Sequence, residues 1–317
     1  MAAPRVDKWL AGVRPDETVC VAAVHTLRTR LAAVWHFLRL AARKSEEDVE
    51  YVHALRVWTR RATAAMRLYR DVLPRRRAAR LKKQLRRIRE AAAAARDLDV
   101  LIARHDASPA SAGRDWLLGQ LRQRRRQAQP SIVAVYRRCT ARRVLRRNAR
   151  GLLARVRPRG KHGRLLEKVC FGDWAPSQLA PLVQEFFDSV PPDLTDIEAI
   201  HRFRICGKKL RYAMELLAAA FPREFREQLY PRMTAVQDRL GEVNDHDVAQ
   251  VRLREWIGLA ENVEEVAYLE QSLADESARL SQALATLQGW WSSEQAESLR
   301  AAFDTYLAKS GCAPKPR

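Results

Sequence analysis

Apolar residues return every three or four positions along most of the chain, and runs alternating at period two are few, so the pattern predicts helices rather than strands. Pro15, Asp16 and Glu17 supply first-turn chemistry for a helix running to about Lys44. A second helix is predicted from about Glu46 to Val72, stopping ahead of Pro74, and a third from Arg76 to Arg96. Shorter helices are expected after Asp97 and Ser111, and a long basic one over Ser131 to Val156. The Gly- and Pro-containing stretch RPRGKHGRLLEKVCFGDWAPSQ breaks the pattern, so residues 157–175 read as a linker between the units 1–156 and 176–317. Helical periodicity resumes at about Pro176 and lasts to Ala308, ahead of a loose tail, GCAPKPR.

The two units repeat one another. At an offset of 148 residues His53 falls on His201, Arg56 on Arg204, Arg60 on Lys208 and Arg61 on Lys209. Met66 meets Met214, Pro74 meets Pro222, Asp97 meets Asp245 and Asp99 meets Asp247. About fifty residues stay in register without a gap, at polar, apolar and helix-breaking positions alike. The chain therefore reads as two copies of one helical unit, with the two copies of each element facing each other across a pseudo-twofold axis.

Within the repeated helix the polar positions are not scattered. At about 100° per residue, His53, Arg56, Arg60 and Arg67 fall within an arc of about 60°, while Leu55, Trp58, Ala62, Met66 and Tyr69 gather on the opposite side. The second copy opposes His201, Arg204, Lys208 and Arg211 to Phe203, Cys206, Leu210, Met214 and Leu217. In the next helix of the first copy Leu81, Leu85, Ile88 and Ala92 form the apolar stripe, and Lys82, Lys83, Arg86 and Arg87 point away. The second copy has Tyr230, Pro231, Thr234 and Ala235 at those four positions, so it keeps only the first stripe. A basic face opposite an apolar one is commonly just a solvated surface. Here the stripe lacks the interleaved acids of a salt-bridge ladder, recurs in both copies, and includes the histidine each time.

Charge sharpens this picture. The 317 residues carry a net +21. Residues 1–160 hold 39 Lys+Arg and 13 Asp+Glu, a net +26, and residues 161–317 hold 19 and 24, a net −5. Such an excess predicts a polyanionic partner, and arginine forks suit phosphate oxygens. A line of cations one helical turn apart matches a linear polyanion, and Arg67, Lys82, Lys83, Arg86 and Arg87 are expected to bind it together with the two stripes. A histidine heading that line can donate to phosphate, which would raise its pKa and strengthen binding at mildly acidic pH. For catalysis it would need a nucleophile or acid partner, and for metal a second ligand at i+3 or i+4; neither is encoded nearby.

The remaining chemistry is sparse. Five cysteines, Cys20, Cys139, Cys170, Cys206 and Cys312, never form a CxxC pair, which argues against a disulfide framework and a thiolate zinc site. No signal-peptide pattern and no apolar run of spanning length is visible, so a cytoplasmic location is expected. The repeated ARDLDV and VNDHDV could be acidic metal sites for phosphohydrolysis, or Asp97 and Asp245 could cap a following helix or pair with neighbouring arginines; the structural alternatives are favoured. P-loop, GxGxxG, GxSxG and HExxH motifs are absent, and neither an enzyme nor a cofactor is expected.

VHALRVWTRRATAAMRLYRDVLP with ARDLDVL, and IHRFRICGKKLRYAMELL with LGEVNDHDV, resemble the two halves of a CHAD (conserved histidine α-helical) domain over about residues 16–310. The resemblance implies an all-α fold of two pseudo-twofold-related antiparallel four-helix bundles with a basic central cavity or groove. It implies binding of inorganic polyphosphate there and association with polyphosphate granules, through His53, Arg56, Arg60, Arg61, His201, Arg204, Lys208, Lys209 and Arg211. The first copy departs at Thr63–Ala64, where the second has Arg211–Tyr212. Many relatives carry an N-terminal CYTH-class triphosphatase domain; no ExExK segment is present, so that activity is not expected. Non-specific nucleic-acid binding is the main alternative. The aromatics Trp58 and Tyr69 lie on the apolar face, which favours a ligand made of phosphate alone.

Overall fold

A computed structural model describes residues 7–158 and 167–308, the side chain of Arg142 apart. Part of the expected linker (159–166) and the tail from 309 onward lie outside the described residues. The Thr18 hydroxyl accepts from the Val21 N–H at 3.4 Å and caps α1 (Val19–Arg43). Then come α2 (Glu50–Leu68), a 3-10 turn (Arg70–Val72), α3 (Arg75–Ala91) and α4 (Ala93–Asp106). Ser111 caps α5 (Ala112–Thr140), which is followed by α6 (Val144–Leu153). The second unit contains α7 (Phe171–Asp188), α8 (Ile197–Leu217), a 3-10 turn (Ala218–Ala220), α9 (Tyr230–Ile257), α10 (Val263–Trp290) and α11 (Ser293–Ala308). Asp196 and Asn262 cap α8 and α10 through their side chains. No strand occurs among the described residues; Thr18 and Cys170 form an isolated antiparallel bridge.

The offset of 148 holds at the level of elements. It carries α2 onto 198–216, inside α8, and the 3-10 turn 70–72 onto 218–220. It likewise brings α5 onto α10 and α6 onto α11. One difference is a break at Ala92, where the first copy splits into α3 and α4 while the second runs on as α9. The expected helix Arg76–Arg96 is thus interrupted, and Asp97 lies within α4 rather than ahead of a helix. The basic helix expected from Ser131 instead starts at Ala112 and passes through Pro130, whose exposed ring is accommodated without ending it. It stops at Thr140, where Ala141 leaves the helical conformation (φ −54°, ψ 123°), and Arg143 takes the left-handed conformation, φ 52°, just before α6. The second unit's first helix begins at Phe171 rather than Pro176, because Cys170 and Phe171 are tied to the turn before α1: Phe171 N–H donates to Glu17 O at 2.8 Å.

The apolar stripes read from the sequence form the core. Leu55, Ala62 and Met66 of α2 with Tyr69 just beyond it, Leu81 and Leu85 of α3 with Ala92 just beyond it, and Phe203, Leu210, Met214 and Leu217 of α8 are fully buried in one contiguous cluster drawn from both units. Burying each leucine, methionine or phenylalanine among them contributes roughly 1.5–3 kcal/mol, and each alanine methyl about 0.8 kcal/mol. Cys206 is the exception: it is only partly buried, with its thiol toward Glu185. A smaller cluster, Leu117, Leu121, Leu253, Trp256 and Leu269, joins α5, α9 and α10. Helices related by the repeat pack on one another: α1 on α7, α2 on α8, and α5 on α10. The contact of α2 with α8 sets the two basic stripes side by side.

Candidate functional site

Each stripe is anchored by the acid of its own repeat. Arg56 Nη2 lies 4.0 Å from Asp97 Oδ1, and Arg204 Nη2 lies 3.9 Å from Asp245 Oδ1. These matching pairs assign Asp97 and Asp245 as ion-pair partners of the neighbouring helix, not as caps. Both arginine side chains are about 15% exposed (16% and 15%), and burial lowers both pKa values. Asp99 serves a different contact, accepting from Arg125 Nε of α5 at 2.6 Å. His246 contacts Glu276 at 2.7 Å rather than Asp247. Among the described residues no group of three or more His, Cys, Asp or Glu is placed to hold a metal ion.

The stripes converge at Lys208. Its amine sits among Arg204, Arg60 and Arg211 with Asp245 as the counter-charge, and burial, then Arg204 and Arg60, push its pKa down to about 7. Lys208 lines two cavities. One, of about 880 Å³, lies between α2, α7 and α8 and is walled by Arg60, Thr63, Arg67, Arg89, Lys209 and Tyr212. The other, of about 540 Å³, lies between α8 and α9 and is walled by Arg204, Arg211, Gln237, Asp245 and His246, with Arg104 reaching in from α4. Several polar atoms here have no partner: the donors Arg204 Nε, Arg211 Nε and Gln237 Nε2, and the acceptor Gln237 Oε1, are buried and unsatisfied. Gly207 lets Gln237 come this close; a Cβ there would sit 2.1 Å from Gln237 Nε2.

Neither repeated histidine lines these two cavities. His201 Nδ1 is 3.0 Å from Asn244 Oδ1. His53 is half-buried, and burial, then Arg96, lowers its pKa. Asn244 and Arg96 occupy equivalent positions of the two repeats.

Not every expected residue joins this cluster. Arg61 turns away: Nε and Nη2 donate to Glu215 at 2.7 and 3.0 Å, and its guanidinium lies 4.8 Å from the centre of the Trp58 ring. Glu215, 1% exposed, also accepts from Tyr230 Oη at 2.8 Å and Arg211 Nη1 at 3.3 Å. Arg61 therefore fastens α2 to α8. Lys209 lines the larger cavity but is bridged to Glu185 at 2.5 Å. Lys82 is half-buried, and burial, then Arg67 and Arg70, lower its pKa, placing it at the end of the α2 stripe. Lys83, Arg86 and Arg87 are exposed on the far side of α3, with Arg86 3.5 Å from Glu90.

Sequence reading missed Arg89, Gln237, Arg104 and His246 in the cavity walls, and Arg30 in the core. Arg89 and Gln237 are related by the same offset of 148, which could have flagged them. Arg30 is fully buried against the Trp58 ring at 5.1 Å and donates to the backbone carbonyls of Asp7 and Lys8.

The sequence profile of the CHAD domain matches residues 25–254. The chain belongs to the CHAD domain family. Among solved structures this CHAD chain is similar to the CHAD domain from the plant Ricinus communis, with 20% identity, a TM-score of 0.65, and 95% of this chain and 96% of that one covered. It is also similar to PptA from Streptomyces chartreusis, with 18% identity, a TM-score of 0.55, and 86% and 99% covered. At these identities the likeness is one of fold. No curated protein matches the chain. No helix among the described residues is long and apolar enough to cross a membrane.

Proposed function

We propose that this CHAD protein binds inorganic polyphosphate in the basic groove where α2 meets α8, as a binding protein without a catalytic step, and that it works on polyphosphate granules in the cytoplasm. The observation that carries this reading is the cation cluster around Lys208. Arg56 and Arg204 face Asp97 and Asp245 at about 4 Å; across the two cavities that meet at Lys208, nine Lys and Arg side chains meet only four carboxylates, Glu185, Asp238, Glu242 and Asp245, and the Nε groups of Arg204 and Arg211 lack acceptors. A string of phosphates would supply both the missing charge and the missing acceptors. Packing of α2 on α8, α1 on α7 and α5 on α10 supports an arrangement of two antiparallel four-helix bundles about a pseudo-twofold axis, with the groove on that axis.

Nucleic acid fits less well. Trp58 and Tyr69 are buried in the core and offer no stacking platform. Tyr212, which does line the groove, is nearly buried and carries Arg211 on its ring, 5.2 Å from the centre. The test is a competition between long-chain polyphosphate and single- or double-stranded nucleic acid at about 150 mM salt, where weak non-specific contacts are largely lost. Polyphosphate should win per phosphate; equal competition by nucleic acid would overturn the reading.

A further inference from the structure

A second concentration of positive charge lies outside the groove. On α3, Arg76, Arg80, Lys83 and Arg87 are exposed, and at about 100° per residue they share an arc of about 60° centred roughly 140° from the buried Leu81–Leu85–Ile88 stripe. They run along roughly 16 Å of helix, and none has an acidic partner; the one acid paired on α3 is Glu90, to Arg86. Helix α6 packs beside α3, with the Arg77 guanidinium lying over Gly151, and it turns Arg147 outward as well. Like charges at i,i+4 destabilise a helix by a few tenths of a kcal/mol each. The second repeat has no such row, holding Glu224, Gln228, Pro231 and Ala235 at the equivalent positions, so the helical unit folds without it.

The row is also connected to the groove. Around α3 the cations continue from Arg89, which lines the larger cavity, through Lys82 beside Arg67 and Arg70, to the outer face. We propose that the outer face of α3, continued on α6, is a second polyphosphate surface, taking the continuation of a chain whose other stretch lies in the groove. This rests on the groove reading above. A chain already held in the groove presents its next phosphates to the outer face at high effective concentration, an advantage that separate nucleic acid lacks.

The test compares tripolyphosphate, too short to leave the groove, with long-chain polyphosphate, using Arg76→Gln/Arg80→Gln/Arg147→Gln, in which glutamine keeps helix propensity. The triple variant should bind tripolyphosphate within about twofold of the wild type. It should bind long chains about tenfold or more weakly, with a salt slope shallower by about two. Unchanged long-chain affinity overturns the proposal. So does equal loss for both ligands, which would make the face part of one site, and so does a loss confined to duplex DNA, which would assign it to nucleic acid. Arg60→Ala/Lys208→Ala is the separate arm: unchanged tripolyphosphate binding there sinks the groove reading instead, and the continuation with it.

Discussion

Lys208 concentrates the logic of the site in one side chain. Its pKa of about 7 lies below that of an unfolded lysine because burial and Arg204 disfavour the ammonium form. From about pH 7 upward, until an unfolded lysine also deprotonates, the unfolded chain holds a proton that the folded one lacks. Lys208 therefore makes folding stability rise with pH in that window. Binding runs the other way, since a bound polyanion restores the proton. Affinity for tripolyphosphate should fall between pH 7 and pH 8.5, by up to about tenfold per unit, and Lys208→Arg should flatten the profile over that range. A wild-type profile flat across it would contradict the assignment. Neutral His53, its pKa already lowered by burial and Arg96, extends the same trend to mildly acidic pH. Thr63 makes a complementary case. Its counterpart Arg211 is held by Glu215 and Tyr230, whereas Thr63 faces open cavity and its i+4 neighbour is Arg67. Thr63→Arg should therefore tighten polyanion binding while lowering stability by about 0.2–0.5 kcal/mol, readable by titration and urea denaturation of the same variant.

At the scale of helices, Glu215 is the fastener. It sits on α8 and takes Arg61 from α2, Tyr230 from α9 and Arg211 from its own helix. Glu215→Ala would strand buried cations and should cost about 3–5 kcal/mol in urea denaturation. Arg61→Met/Glu215→Leu removes the Arg61 charge as well and should recover part of that loss, the remainder reflecting Arg211 and Tyr230 left without their carboxylate. Similar stability in the two variants would contradict the fastening role. This pair also marks where the sequence stops being legible. The α2 and α8 stripes could be read because a helix's faces follow from spacing alone, and the offset of 148 made the reading twofold. Arg61 lies about 100° round from Arg60, on the flank of that face, and whether such a residue meets solvent or a carboxylate 154 positions away depends on packing. Glu215 stands at the repeat equivalent of Arg67, so the repeat itself disguised it. The break at Ala92 and the passage of α5 through Pro130 were likewise hidden. Both are settled by neighbouring helices rather than by local propensity.

Across the whole molecule, duplication does two things. Packing of equivalent helices turns two ordinary amphipathic faces into one groove in which cations crowd cations. Divergence of the two copies then divides the labour: the first carries the outer arginine row and a net +26 over residues 1–160, while the second supplies the buried Glu215 and Arg211. The fold class and the central cations were readable because they repeat. The cavity walls from Arg104, Gln237 and His246 were not, because they come from other helices that reach the groove only in three dimensions. The most direct test of the account is the salt dependence of tripolyphosphate binding by the wild type and by Arg60→Ala/Lys208→Ala. The account predicts weaker binding by the double variant, with the slope of log K against log salt shallower by between one and two, since each lost phosphate contact removes about 0.7. An unchanged affinity and slope, with the variant folded, would contradict it.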